Sequence, residues 1–142
     1  MAKGDPILEV EHLVKYFPIK SGLLFDREVA SVKAVDDVSF TLHEGETLGL
    51  VGESGCGKST LCRTVIQLLE PTSGSVRYGG RELVGLSRKK LRPVRREIQM
   101  IFQDPYASLN PRKRVGQIIG DPLQLHGLAS GTQLRREVQQ LM

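Results

Sequence analysis

Residues Gly52-Glu53-Ser54-Gly55-Cys56-Gly57-Lys58-Ser59 fit the pattern G-x-x-x-x-G-K-[ST]. At average residue frequencies a chain of this length would match by chance about once in a few hundred cases. The pattern carries weight only where it leaves a buried strand and opens a helix. Both flanks read that way. Thr47-Leu48-Gly49-Leu50-Val51 is almost wholly apolar, which predicts a strand covered on both faces. From Lys58 to Glu70, residues Leu61, Cys62, Val65, Ile66, Leu68 and Leu69 fall on one helical stripe, and Pro71 and Gly74 stop it.

Each position of the loop has a chemical reason. Gly52, Gly55 and Gly57 allow backbone conformations that a Cβ would block. Successive N–H groups can then point inward and wrap phosphate oxygens. The helix that starts here adds unpaired N–H donors and a positive dipole end. Lys58 can reach β- and γ-phosphates, and Ser59 can offer its hydroxyl to Mg²⁺. The motif by itself implies a nucleoside triphosphate. It does not say which one, because kinases, GTPases, helicases and transport ATPases all use it.

Composition narrows the class. Of 142 residues, 20 are Lys or Arg and 16 Asp or Glu, with 39% hydrophobic and 25% charged. These are globular values, and they exclude collagen, low-complexity tails and acidic disorder. No apolar run approaches the roughly 18–20 residues that span a bilayer. The first six residues lack an apolar signal-peptide core, so no export is expected. Cys56 and Cys62 match no zinc spacing and are too few for a disulfide scaffold, which predicts a reducing cytosolic setting. The length suits one domain.

The remaining chain reads as alternating strands and helices without internal repeats. Leu8–Leu13 alternates apolar and charged residues as a half-buried strand, closed by Tyr16-Phe17-Pro18. A loop or hairpin excursion follows from Lys20 to Ser31. Val32–Leu42 is a second strand, Ser75–Tyr78 a third, and Ile98–Phe102 a buried one. Ser87 can cap a helix reaching Arg96. Asp104–Pro111 is loop, and Val115–Leu125 and Gln133–Leu141 read as helices. Arg88-Lys89-Lys90-Leu91-Arg92-Pro93-Val94-Arg95-Arg96 holds six basic residues in nine. No aromatic residue interleaves with them, so a solvated helix face is expected rather than a nucleic-acid site. A weak attraction to anionic lipid headgroups would accompany a position beside a membrane. Cys56 reads as a small tolerated residue and Cys62 as core; His12, His43 and His126 are scattered and carry no assigned chemistry.

Extended to Gly45–Leu61, the loop resembles the Walker A region of an ABC transporter ATP-binding subunit. Glu70-Pro71-Thr72-Ser73-Gly74 resembles the next segment of that family. Gln99–Arg112, with Phe102-Gln103-Asp104-Pro105 at its centre, resembles the Q-loop of the dipeptide, oligopeptide and nickel importer branch. The Leu23–Ser31 excursion is similar to that branch as well. The resemblance implies an α/β P-loop NTPase core, with a mainly β subdomain over 1–46, a core portion over 47–103 and the start of a helical subdomain over 104–142.

It also implies roles. Gly52, Glu53, Ser54, Gly55, Cys56, Gly57, Lys58, Ser59 and Thr60 would hold ATP, and Ser59 and Gln103 would contact Mg²⁺. Phe17, or Tyr16 beside it, would stack on adenine. Expected partners are a second ATPase subunit, identical or not, and permease subunits met through Gln103–Pro111. The location implied is peripheral, on the cytoplasmic face of the cell membrane. The activity implied is ATP hydrolysis energising uptake of peptides or related small solutes.

Within these 142 residues there is no Leu-Ser-Gly-Gly-Gln-type signature, no four-apolar-then-Asp-Glu run and no switch histidine. The chain therefore reads as the amino-terminal part of such an ATPase, with no complete catalytic set. Phosphoryl transfer needs several separately supplied parts, so negligible hydrolysis by this chain alone is expected. Marginal stability and uncovered apolar faces at Thr47–Val51 and Ile98–Phe102 are expected too. Two alternatives stand beside this reading. One is a truncated nucleotide-binding remnant. The other is a different P-loop kinase or GTPase with Asp104 as its metal-binding acid.

Overall fold

The computed structural model describes residues 4–21, 27–104 and 106–142. The chain divides into two compact units, Met1–Ile98 and Gln99–Met142.

In the first unit, two long strands form an antiparallel ribbon: β1 (Pro6–Ser21) and β2 (Arg27–His43). On its other side β1 pairs with β3 (Ser73–Tyr78), and β3 pairs with the two-residue β4 (Arg81–Glu82). The sheet order is β2-β1-β3-β4. Helices α1 (Lys58–Val65) and α2 (Arg88–Glu97) complete the unit. Its core joins Val10 and Leu13 of β1, Val35 of β2 and Val76 of β3 to Leu61 and Val65 of α1, and to Leu83, Leu91 and Val94. Gly74 opens β3 with φ +98°, and a Cβ there would stand 2.6 Å from the Leu13 Cα, so β3 approaches β1 only because the side chain is missing.

The ribbon is irregular in a way that matters for the site. Lys15 pairs with Val35, yet Tyr16 pairs with Lys33, so Ala34 is an extra, unpaired residue on β2. This is a β-bulge, which bends the strand and re-aims what it carries. A second irregularity sits beside it. Leu13 pairs with Val38, which leaves β2 one residue longer again at Asp36–Asp37, and Asp37 has φ +54°. On β1 the compensating residue is at His12, with φ +49°. The two are tied together: His12 Nδ1 lies 2.7 Å from Asp37 Oδ1, and the His12 N–H donates to Ser39 Oγ at 2.8 Å.

Several sequence expectations are corrected. Strand β1 does not close at Tyr16-Phe17-Pro18 but continues to Ser21. Its pairing with β3 ends at Val14, so Pro18 has β2 as its described sheet neighbour, the edge setting in which proline is tolerated. The excursion from Lys20 to Ser31 is largely strand at its two flanks, and 22–26 lie outside the described residues. Helix α1 stops at Val65, short of Glu70. Gln67 takes φ +56°, and the N–H groups of Leu68 and Leu69 turn back to the Arg63 carbonyl at 2.8 and 3.1 Å. A left-handed residue of this kind ends a helix. Cys62, within α1 but off the face that buries Leu61, Thr64 and Val65, is exposed and not core.

Thr47–Val51 and Ile98–Phe102 form no strand. A strand buried on both faces needs neighbours in a parallel sheet, and among the described residues none runs beside either segment. Most of their apolar side chains stand in solvent, Val51 being 91% exposed and Ile101 96%, while Ile98 packs partly buried against the core. Helix α2 matches its expectation. Leu91 and Val94 are buried, while Arg88, Lys89, Lys90, Arg92, Arg95 and Arg96 are exposed.

The second unit holds α3 (Val115–Leu125) and α4 (Gly131–Leu141). Gly120 lets the pair close, since a Cβ there would touch Val138 at 3.3 Å and Leu134 at 3.6 Å. Gln117 caps α3 by accepting the Arg114 N–H at 3.0 Å. Among the described residues no helix is long and apolar enough to cross a membrane.

Glu82 fastens the β3–β4 hairpin. Its carboxylate accepts the Ser75 hydroxyl and the N–H groups of Val76 and Val84, the latter two at 3.1 and 2.8 Å. Burial works against the charge, but these donors outweigh it and hold the carboxyl below the ordinary glutamate range. The resulting stability is present above the unfolded-state pKa and is lost as pH falls through the depressed folded value. Glu82→Gln is expected to cost about 1 kcal/mol at pH 7, allowing for its exposure. That corresponds to a melt roughly 4–8 °C lower. The difference from wild type should shrink towards pH 3 in thermal melts followed by circular dichroism.

Candidate functional site

Helix α1 begins on a glycine with its first N–H donors unquenched. Its N-cap is Gly57, with φ +98° and no capping side chain, and no acidic residue occupies the first turn. The opening N–H groups of an α-helix have no carbonyl partner within it. Here no side chain caps them either, so they and the dipole end face outward together. The loop before them, Gly52 to Cys56, is exposed.

Lys58 supplies the fixed charge. Its ammonium curls back over the loop and donates to the carbonyls of Gly52 at 2.7 Å and Glu53 at 2.5 Å, and it lies 3.5 Å from Cys56 Sγ. The cation is thus held in the hollow of its own loop by neutral acceptors. A polyanion is a stronger partner than a carbonyl for an ammonium group. Ser59 and Thr60 follow in the first turn, where the Ser59 hydroxyl is exposed. Mg²⁺ binds through one or two protein oxygens together with phosphate oxygens and water. A lone hydroxyl at this position fits that donor set, and no cluster of acidic, histidine or cysteine ligands occurs among the described residues.

The bulge in β2 fixes where the loop stands. A Cβ on Gly57 would overlap the carbonyl oxygen of Ala34, the extra residue of the bulge. Gly57 is therefore required twice, by its left-handed conformation and by this close approach. A cavity of about 370 Å³ opens beside the contact. Lys33, Ala34, Asp36, Cys56, Gly57 and Lys58 are among its lining residues.

Of the two aromatic candidates, Tyr16 is committed to the protein. Its hydroxyl donates to Asp36 Oδ1, its N–H donates to Thr72 Oγ1 at 2.9 Å, and the Lys33 ammonium lies 5.1 Å from its ring centre. The Tyr16 hydrogen bond and Lys33 hold the Asp36 carboxyl below the ordinary aspartate range. Phe17 points to the other face of β1, is 37% exposed, and carries the Lys15 ammonium 4.9 Å from its ring centre.

Gln103 belongs to the second unit, exposed in a bend. Asp104 beside it is occupied as a turn cap: Oδ1 accepts the Ala107 N–H at 2.9 Å, and its carbonyl accepts the Ser108 hydroxyl at 2.6 Å. Both bonds pin the turn that follows Asp104. Ala34, Asp36 and the Tyr16 hydroxyl were not expected from the sequence. A signal was present for Asp36 alone, because Val35 and Val38 are three apart where a regular strand face repeats every two.

Residues 35–142 match the family described as ABC transporter. Oligopeptide transport ATP-binding protein AppF of Bacillus subtilis is 52% identical over 142 residues, 99% of this chain and 43% of its own length. Glutathione import ATP-binding protein GsiA of Salmonella paratyphi A is 49% identical, over 100% of this chain and 23% of its own. The chain thus spans less than half the length of these relatives. A dimeric, post-hydrolysis ATP-binding cassette, MJ0796 bound to ADP and Pi, superposes with a TM-score of 0.73 at 24% identity. It covers 94% of this chain and 55% of its own, and the likeness shows the shared fold.

Gly57→Ala and Gly55→Ala separate the two demands on the loop. Gly55 has φ +83° but open space around it, so alanine there adds strain alone, about 1–2 kcal/mol. Gly57→Ala must also displace Ala34. Titration with a fluorescent ATP analogue is expected to show at least about tenfold weaker binding for Gly57→Ala than for Gly55→Ala.

Proposed function

Because this chain belongs to the ABC transporter family, we propose that its first unit grips the phosphates of ATP in an importer ATPase. The observation that carries the reading is the head of α1: an uncapped helix start on a left-handed glycine, with the Lys58 ammonium folded into the loop before it. Gly52–Thr60 supply backbone N–H groups and the lysine to the phosphates. Ser59 offers its hydroxyl to Mg²⁺, which when bound neutralises phosphate charge. Phe17 stacks on adenine, a role supported by its exposed ring and by the engagement of Tyr16 elsewhere. Gln103 is the second Mg²⁺ contact, and Gln103–Pro111 meets permease subunits.

The 52% and 49% identities to oligopeptide and glutathione import proteins support uptake of peptides or related small solutes as the process served. They also support a peripheral place on the cytoplasmic membrane face and pairing with a second ATPase subunit. The family match favours this reading over the kinase or GTPase alternative, as does the capping role of Asp104. The mainly β portion over 1–46, the core portion over 47–103 and the helical start over 104–142 remain the proposed division of labour. The 142 residues contain no signature segment and no apolar run ending in Asp-Glu. ATP binding without turnover is therefore proposed for this chain taken alone.

Two measurements test the reading. Lys58→Ala is expected to weaken Mg-ATP binding at least about tenfold, as loss of a charge-assisted contact does, while leaving the thermal melt within a few degrees. Unchanged affinity would overturn it. Phe17→Ala is expected to weaken ATP by about 1–3 kcal/mol of lost stacking and to leave tripolyphosphate binding unchanged. Equal losses for both ligands would remove Phe17 from the adenine site.

A further inference from the structure

Ala34 is the residue that two features share. It is the extra residue of the β2 bulge, and its carbonyl oxygen stands against the N-cap glycine of α1. Whatever fixes the bulge therefore fixes the height at which the loop is held. The residues bracketing Ala34 are tied across the ribbon. Asp36 Oδ1 accepts the Tyr16 hydroxyl, and Asp36 Oδ2 lies 3.4 Å from Lys33 Nζ. The same ammonium sits 5.1 Å from the Tyr16 ring centre, and the Tyr16 N–H is anchored to Thr72 of the segment entering β3. Lys33, Asp36 and Tyr16 thus close a clasp around a bulge that regular pairing would erase.

Resting on the phosphate-loop reading, we propose that Tyr16 and Asp36 are positioning residues for nucleotide binding: their hydrogen bond holds the Ala34 bulge against Gly57. They act through the backbone and touch no ligand. The clasp is exposed, so it adds little to global stability. Its effect lies in where the loop's N–H groups stand, and a displacement of a fraction of an ångström weakens every hydrogen bond made from them. Lys33 supports the clasp as the lesser partner, through a longer contact.

The test uses Tyr16→Phe, Asp36→Ala and the double variant in the full chain, titrated with Mg-ATP and separately with tripolyphosphate. Each single variant is expected to bind both ligands about five- to tenfold more weakly, with a melt within about 2 °C of wild type. The double variant should be no worse than either single one, because one hydrogen bond is removed in all three. Tyr16→Phe keeps the ring, so stacking alone cannot explain a loss. A loss confined to ATP, with tripolyphosphate unaffected, would place the pair at the base and overturn the proposal. Additive losses, or unchanged affinities, would overturn it as well. Should either single variant melt far below wild type, Lys33→Met provides the second arm: a graded loss for both ligands at an unchanged melt supports the clasp, and no loss contradicts it. Lys58→Ala run alongside separates the two ideas, since its failure to weaken binding counts against the phosphate loop itself.

Discussion

A helix that starts on a left-handed glycine, uncapped and without an acidic residue in its first turn, aims a group of N–H donors and a positive dipole end at the space before it. Most helices quench that demand with a serine, threonine or aspartate. Here Ser87 at α2 and Ser130 at α4 occupy the equivalent position without a side-chain capping bond, and α1 differs from them in its left-handed Gly57 and in the lysine that follows it. Lys58 adds a full positive charge to the same hollow. The other functional assignments depend on this concentration of positive potential, because it selects a polyanion before any other contact is made.

The rest of the first unit keeps that helix head in place. Leu61 and Val65 anchor α1 in the core with Val35, Val10, Leu13 and Val76. Thr64 is fully buried and satisfies its hydroxyl on the Thr60 carbonyl at 2.7 Å. At the exposed end the bulge in β2 is the stop against which Gly57 rests. The packing of α1 and the irregularity of β2 are therefore parts of one device, with the core holding the helix and the bulge setting the loop.

Much of this was legible in the sequence because it is local. The loop, the start of α1, the helix after Ser87 with its solvated basic face and both helices of the second unit follow from spacing over a few residues. Non-local features were less legible. Thr47–Val51 and Ile98–Phe102 have the composition of doubly buried strands, but a strand exists only by pairing, and no described neighbour pairs with them. The early end of α1 depends on Gln67 adopting a left-handed conformation that glutamine does not advertise. The irregularity at Asp36–Asp37 was visible as a three-residue step between Val35 and Val38, whereas the meaning of the neighbouring bulge at Ala34 required the position of Gly57.

The most direct test reads the loop's own N–H groups. In amide-detected NMR of the ¹⁵N-labelled chain titrated with Mg-ATP, the N–H signals of Gly55, Gly57, Lys58 and Ser59 should move downfield together, saturating at one common affinity. This is the signature of backbone donors taking up phosphate oxygens. Shifts that leave these four residues unmoved while ATP binds elsewhere would contradict the assignment of the α1 head as the phosphate site.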